Sequence, residues 1–197
     1  MRPVAARKGE GPGNDASGQG AMDNVFMVSM ENEAAAPFGT TLEAGCALET
    51  VLPFLDDTQA DALRRLCPGG TCHVWGVRDE GDNRPTWEGM APDDLVLAVC
   101  GRSVVSASRV RMKLSHTALA ERLWGGPYGL MCFSDKPHVG EVPIVPQMFW
   151  YLDPDGRGFR RLDPKKRDNI LRDYGSLDVF VRLGLRYDFP FSFRHSE

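Results

Sequence analysis

Short runs that alternate hydrophobic and polar residues dominate the chain and predict strands more often than helices. The run at 104–112 alternates most regularly and places Arg109 and Arg111 on one side, with Lys113 following in phase. The apolar run at 95–100 precedes it across a turn at 101–103, which is typical of a hairpin. Strands are predicted at 25–30, 72–77, 95–100, 104–112 and 129–133, with shorter extended pieces at 142–145 and 148–151.

Helical spacing appears in four places, each with a capping signal at its start. A helix is predicted at 57–66, capped by Asp57 or Thr58, and another opens with Ser115 as its cap and ends at Trp124. Asp163 is expected to cap a helix that begins at Pro164 and runs to about 174, and Ser176 a last short helix at 177–183. The stretches 31–43 and 78–85 are predicted to be loops.

The order of these elements argues against a doubly wound parallel sheet, because no strand–helix–strand unit recurs. We therefore predict an α+β fold, in which a small curved mixed sheet or partly open barrel has helices packed on its outside. Residues 1–22 are rich in Gly, Ala, Ser and Pro and are predicted to be a disordered leader. Residues 23–197 are predicted to form one domain. Phe189, Phe191 and Phe193 alternate in its tail, which suits either an edge strand or a partner-binding segment.

Composition narrows the class of protein further. The 197 residues are 42% hydrophobic and 25% charged, with 23 Lys and Arg against 27 Asp and Glu, a net charge of −4. This balance excludes a polycation but allows a local basic face. No apolar run approaches the roughly 18–20 residues that a membrane span needs, and the basic N-terminus lacks the apolar segment of a secretory signal.

The cysteines and histidines are too scattered to predict a metal centre or a bound cofactor. We expect reduced thiols in a cytoplasmic protein. The five cysteines are Cys46, Cys67, Cys72, Cys100 and Cys132.

Catalytic patterns are absent from the sequence. It contains neither a phosphate-binding P-loop nor a G-x-S-x-G nucleophile elbow, and Glu88 is a single carboxylate without an evident partner. We therefore predict that the chain is not an enzyme. One alternative is an enzyme acting on a small nucleoside-like ligand with Glu88 or Asp135 as acid or base.

Tryptophans and basic clusters are the features that indicate a function. Trp75 and Trp124 suit the core, whereas Trp87 lies in a polar stretch, where it is either a lid over the sheet edge or a cavity wall that stacks a base. Two basic clusters suggest a surface that contacts phosphates. They comprise Arg102, Arg109, Arg111 and Lys113 in one hairpin, and Arg160, Lys165 and Lys166 within 157–172.

The segment from Trp75 to Lys136 resembles the PUA-like superfamily, in particular its EVE and YTH branches. The similarity lies in WEGMAPDDLVL at 87–97, in the hairpin at 101–110, and in the helix end at 119–125 followed by the strand at 130–133. The helix end at 119–125 and the strand at 130–133 are similar to the modified-DNA-binding N-terminal domains of McrB-like restriction systems. Asp93 departs from the pattern, which usually has Gly before the aspartate at 94.

The resemblance implies a reader that turns a modified, methylated base out of the DNA stack into an aromatic pocket. It implies recognition within a restriction or defence system, with cutting by a separate nuclease or NTPase subunit. Alternatives are an RNA-binding PUA-like domain, the small-ligand enzyme above, and a protein-interaction module whose aromatics are only core. The implied base pocket comprises Trp87 as one wall, Trp75, Phe133, Phe149 or Trp150 as the other, and Ser134 and Asp135 at the base edge. The basic clusters would hold phosphates.

Overall fold

A computed structural model describes residues 23–30, 37–154 and 157–186. Their strands form one open mixed sheet in the order β2-β3-β6-β5-β4-β1-β8, with β7 paired to β5 outside this path. The strands are β1 Val25–Ser29, β2 Cys46–Ala47, β3 Thr71–Val77, β4 Leu95–Cys100, β5 Ser103–Ser115, β6 Leu130–Ser134, β7 His138–Pro143 and β8 Phe159–Arg161.

Helices lie outside this sheet, so the predicted α+β class with a curved, open sheet is confirmed. The architecture is also consistent with a PUA-like fold. The α-helices are α1 Leu48–Val51, α2 Asp57–Leu66, α3 Asn83–Glu88, α4 Thr117–Trp124, α5 Pro164–Tyr174 and α6 Leu177–Val179. Phe38–Glu43 and Phe180–Gly184 are π-helical, and Leu52–Phe54 and Pro146–Trp150 are 3₁₀ turns.

Strand β5 organises the sheet because its two halves have different neighbours. Its first half lies between β4 and β7, and its second half pairs with β6. A β-bulge between Val110 and Met112 leaves Arg111 as the extra residue, and such a bulge bends a strand and increases its twist. The bulge therefore turns the sheet at the centre of its longest strand.

The turn before β4 carries the departure from the PUA-like pattern. Asp93 has a φ of 72°, in the left-handed region that glycine occupies most easily. Asp94 is buried, and its carboxylate accepts hydrogen bonds from the backbone N–H groups of Asn24 and Ala91, at 2.7 and 2.8 Å. Asp94 thus joins the turn to the residue before β1, which pairs in parallel with β4.

Several predicted local structures are wrong. Residues 83–88 form helix α3 instead of the end of a loop, residues 38–43 are π-helical, and 148–151 belong mainly to a 3₁₀ turn instead of an extended piece. The caps of two helices also differ from prediction. Asp56, in a capping box with Gln59, begins α2, and His116 Nδ1 caps α4 by accepting from the Leu119 N–H at 3.1 Å.

Other local predictions are confirmed. Asp163 caps α5 with Pro164 in its first turn, and Ser176 caps α6. The leader at 1–22 and the alternating phenylalanines of the tail lie outside the described residues. Among the helices that the structure describes, none is long and apolar enough to cross a membrane.

Candidate nucleic-acid interface

Trp87 lies in the hydrophobic core instead of lining an open cavity. Helix α3 directs its side chain under the sheet, where it is 9% exposed, and Nε1 donates a hydrogen bond to the Met131 carbonyl at 3.1 Å. Trp75 is buried in the same cluster and packs edge-to-face on Phe159. A nucleobase therefore has no open path to either indole in this conformation.

The other aromatic members of the predicted base pocket lie elsewhere. In the β3–β6 ladder, Phe133 is opposite Val74, whereas Trp75 is opposite Cys132, so Phe133 and Trp75 point to opposite faces of the sheet. Phe133 is buried with α2 and α4. Trp150 is in the 3₁₀ turn after β7. The structure does not bring the predicted aromatic residues into one cage.

The bulge at Arg111 also separates Lys113 from the arginines, so the prediction that Lys113 follows them in phase is wrong. Lys113 donates to the carbonyls of Trp87, Glu88 and Met90, at 2.7, 3.0 and 2.6 Å. Its ammonium also lies 4.7 Å from the centre of the Trp87 ring. Lys113 therefore caps the C-terminal end of α3, where a positive charge is favourable.

Arg109 is a largely buried cation, with 13% of its side chain exposed. It pairs with Asp178 at 2.6 Å and with Asp23 at 3.0 Å, and also donates to the Asp93 carbonyl. Burial alone would lower the pKa of Arg109, but Asp178 and Asp23 outweigh it and raise that pKa above its ordinary value. Arg109 therefore joins the N-terminal segment and α6 to strand β5.

Arg111 and Asp135 form a second, more open pair. The guanidinium of Arg111 bonds to Asp93 and, at 3.2 Å, to Asp135 Oδ2. The other oxygen of Asp135 accepts the backbone N–H of Arg109 at 2.8 Å. The Asp135 carboxylate is thus held by two donors and remains partly exposed. Ser134, in contrast, is buried, and its hydroxyl donates to the Asp135 carbonyl.

Arg109, Arg111 and Asp135 meet at one cavity of about 330 Å³, which we call the arginine hollow. Its apolar wall comes from β4, β5 and the α6 region, and its polar wall holds three arginines and two aspartates. Arg182 is exposed, and the described residues give its guanidinium no ion pair. The lining residues are Leu95, Ala107, Ser108, Arg109, Arg111, Asp135, His138, Asp178, Val179, Val181 and Arg182.

A second surface, which we call the tryptophan patch, surrounds Trp150. This residue is 56% exposed. A shallow hollow of about 460 Å³ lies against its ring. Lys166 is held there by the carbonyls of Phe149 and Leu152 and by Asp153, whereas the ammonium of Lys165 has no partner among the described residues. The lining residues are Phe149, Trp150, Asp163, Lys165, Lys166, Asp168 and Asn169.

The remaining predicted residues, Arg102, Arg160 and Glu88, are not among those that line either hollow. Arg102 lies 5.6 Å from the centre of the Phe149 ring, beside the patch. Arg160 donates to the Asp153 carbonyl at 3.5 Å and contacts Met27. Glu88 is exposed and 3.6 Å from Arg84. No group of His, Cys, Asp or Glu within the described ranges is arranged to hold a metal ion.

Sequence reasoning missed His138, Asp178 and Arg182 in the arginine hollow, and Arg172 beside Trp150. His138 lies in β7, and only the tertiary fold brings it to the other two. Asp178 and Arg182 are four residues apart within the helix predicted at 177–183, so their shared face had a signal in the sequence. Arg172 had a usable signal, because the correctly predicted helix α5 places 165, 169 and 172 on one face.

The chain resembles a known structure in fold. No family model and no curated protein matches the sequence. The structure is similar to the N-terminal domain of Thermococcus Gammatolerans McrB bound to m5C DNA, with a TM-score of 0.59 and 14% sequence identity. The match covers 77% of this chain and 96% of that chain. At this identity the similarity defines a shared fold, and the residue roles follow only from the site itself.

Proposed function

We propose that this chain is a DNA-binding module that recognises a modified base, with methylated cytosine as the first candidate. The observation that carries the proposal is the fold shared with almost the whole length of a domain solved with m5C DNA. No catalytic group accompanies the described site, so the proposed role is recognition. Cleavage would then belong to a separate nuclease or NTPase subunit of a restriction system.

The arginine hollow is the proposed base pocket. A base inside a duplex cannot reach such a recess, so the target nucleotide would be turned out of the stack at a cost of a few kcal/mol. At about 330 Å³ the hollow has room for a base. The exocyclic amine of cytosine is a donor, and the fixed Asp135 carboxylate is an acceptor that faces this space.

The same hollow offers a means of detecting a methyl group. Val179, which is half-buried, supplies apolar surface in the hollow that holds the Asp135 and Arg111 pair, and the almost fully buried Leu95 and Val181 line the same cavity. A methyl group adds no hydrogen bond, but burying it against such surface contributes about 0.8 kcal/mol. Arg182, which has no ion pair among the described residues, supplies a positive charge in the hollow for a phosphate. Donor, acceptor and apolar wall are therefore within one cavity.

Binding to paired duplexes tests the function. Two DNA duplexes of one sequence, with and without 5-methylcytosine, are titrated with the full chain at two salt concentrations. We expect tighter binding of the methylated duplex at both salts and weaker binding of both at higher salt. Equal affinities would remove the methyl-reader proposal. An RNA of the same sequence serves as competitor, and preferential displacement by RNA would favour the RNA-binding alternative.

Asp135→Asn tests the pocket, with Asp79→Asn as the matched control. Both aspartates are partly exposed and pair with an arginine, but Asp79 pairs with Arg84 away from the arginine hollow. Asp135→Asn replaces an acceptor-only group by one that also donates, so affinity for the methylated duplex should fall by roughly 10-fold or more. Loss of the same size in both variants would place the base elsewhere.

A further inference from the structure

The tryptophan patch has features that the arginine hollow lacks. Trp150 is the only large aromatic residue among those described whose surface is mostly exposed. Its position is nevertheless fixed. Asn169 Nδ2 donates to the Trp150 carbonyl at 3.1 Å, and the Arg172 guanidinium lies 5.7 Å from the ring centre. Asn169 thus fixes the backbone at Trp150 and Arg172 covers one side of its ring, so the exposed indole is preorganised for a flat partner.

The charges around the patch indicate the chemistry of that partner. The acidic groups are already engaged, since Asp163 accepts the Lys165 backbone N–H and Asp168 pairs with Arg167. Asp173, the carboxylate next to Arg172, pairs with that arginine at 2.7 Å. The ammonium of Lys165 has no such partner within the described part of the chain. An aromatic face next to an uncommitted cation suits a nucleotide, whose base stacks while its phosphate contacts the ammonium.

The patch is also positioned to act together with the arginine hollow. Strand β7 begins at His138, which lines the arginine hollow, and ends three residues before the 3₁₀ turn that carries Trp150. A strand of six residues spans about 17–20 Å. One bound DNA segment of a few nucleotides is long enough to reach both surfaces.

We propose that Trp150 is a stacking platform for an unpaired base of the bound DNA, with Lys165 contacting its phosphate. This inference rests on the proposed function, because it adds a second contact to the same nucleic acid. It predicts that the domain favours DNA with an unpaired nucleotide whether or not the base is methylated. The preference for an unpaired nucleotide would then come from the tryptophan patch, and the preference for methylation from the arginine hollow.

The test uses the full chain and unmethylated DNA in two forms, a fully paired duplex and the same duplex with a short single-stranded gap. We expect the wild type to prefer the gapped form. Trp150→Ala should weaken gapped binding about 5- to 150-fold, the range for loss of one stacked base. Trp150→Phe should retain most of it, since the ring is kept. Leu183→Ala, which removes another exposed apolar side chain, should leave it unchanged.

The outcomes separate this inference from the proposed function. If Trp150→Ala binds gapped DNA as the wild type does, the stacking platform is wrong, whereas a retained preference for methylated duplex leaves the proposed function intact. If the wild type ignores methylation but Trp150→Ala loses gapped binding, only the methyl recognition in the proposed function fails, and the DNA binding on which the stacking platform rests is retained. A change of oligomeric state in Trp150→Ala, with unchanged DNA binding, would show that the patch is a contact between copies and overturn the inference.

Discussion

The indole nitrogen of Trp87 donates a hydrogen bond to the backbone carbonyl of Met131, 3.1 Å away, and thereby fastens helix α3 to strand β6. The bond is buried, and the ring fills a core cluster. The tryptophan that the sequence places at the wall of a binding pocket is therefore a structural residue. This relationship changes what its substitution should do.

Trp87→Ala should destabilise the fold by about 3–5 kcal/mol, because it leaves a large cavity and removes a buried hydrogen bond. Trp87→Phe keeps most of the volume and should cost less. Urea denaturation followed by circular dichroism measures both. A Trp87→Ala protein that is as stable as the wild type but has lost its preference for methylated DNA would restore Trp87 to the binding site.

Lys113→Met should lower the free energy of unfolding by about 1–3 kcal/mol, because two half-buried carbonyls and one exposed carbonyl lose their donor. Since the ammonium is fully engaged in the fold, the salt dependence of DNA binding should not change. Lys165→Met is the matched comparison, and there the salt dependence should weaken with little effect on stability. A reduced salt slope in Lys113→Met would assign it a phosphate contact.

Gly76→Ala should destabilise the protein by about 1–3 kcal/mol through overpacking. A Cβ at position 76 would lie 2.4 Å from the Tyr128 carbonyl oxygen and 2.8 Å from the Trp124 ring, and the carbonyl belongs to backbone that moves little. Gly69→Ala is the control, because no atom lies within 4 Å of its added Cβ. Thermal melting of the two variants measures the difference, and equal melting temperatures would contradict the packing at Gly76.

Thiol labelling should distinguish Cys100 from Cys132. Cys100 is exposed, whereas burial raises the pKa of the Cys132 thiol to about 12, which Lys113 and Trp87 offset only in part. At pH 8 the reactive thiolate is then roughly 10⁻⁴ of Cys132. We expect a maleimide to modify Cys100 in the native protein and Cys132 only after unfolding, as mass spectrometry of peptides would show. Early labelling of Cys132 would show that the core around α3 opens.

Local sequence patterns predict most of the sheet, because alternation is a property of each strand alone. These patterns fail where contact with a residue far along the chain decides the local structure. The run at 104–112 predicts β5, but only pairing with β6 shows that Arg111 is the extra residue of a bulge that moves Lys113 to the other face. The polar stretch before Trp87 likewise resembles a loop until the sheet provides a surface on which α3 packs.

In the candidate site, too, local patterns predict single residues, and the tertiary fold decides which of them meet. The sequence predicts Arg109 and Arg111 on one side of a strand as phosphate contacts and Asp135 separately at the base edge, and the fold brings all three to one cavity. Trp150, Lys165 and Lys166 were predicted for two different roles, and the fold places them at one patch. Asp93 shows the opposite case, since it stands where the related pattern has glycine and still adopts the left-handed conformation, with its side chain bonded to Arg111.

The position of β1 between β4 and β8 has a consequence for synthesis of the protein. Val25 pairs with Leu95, 70 residues later, and Val28 with Phe159. At about 5–20 residues per second, a ribosome needs about 4–14 s to make the first of these partners. During that time the apolar segment Val25–Ser29 has both edges unpaired, so insertions between residues 30 and 95, which lengthen the delay, should increase misfolding.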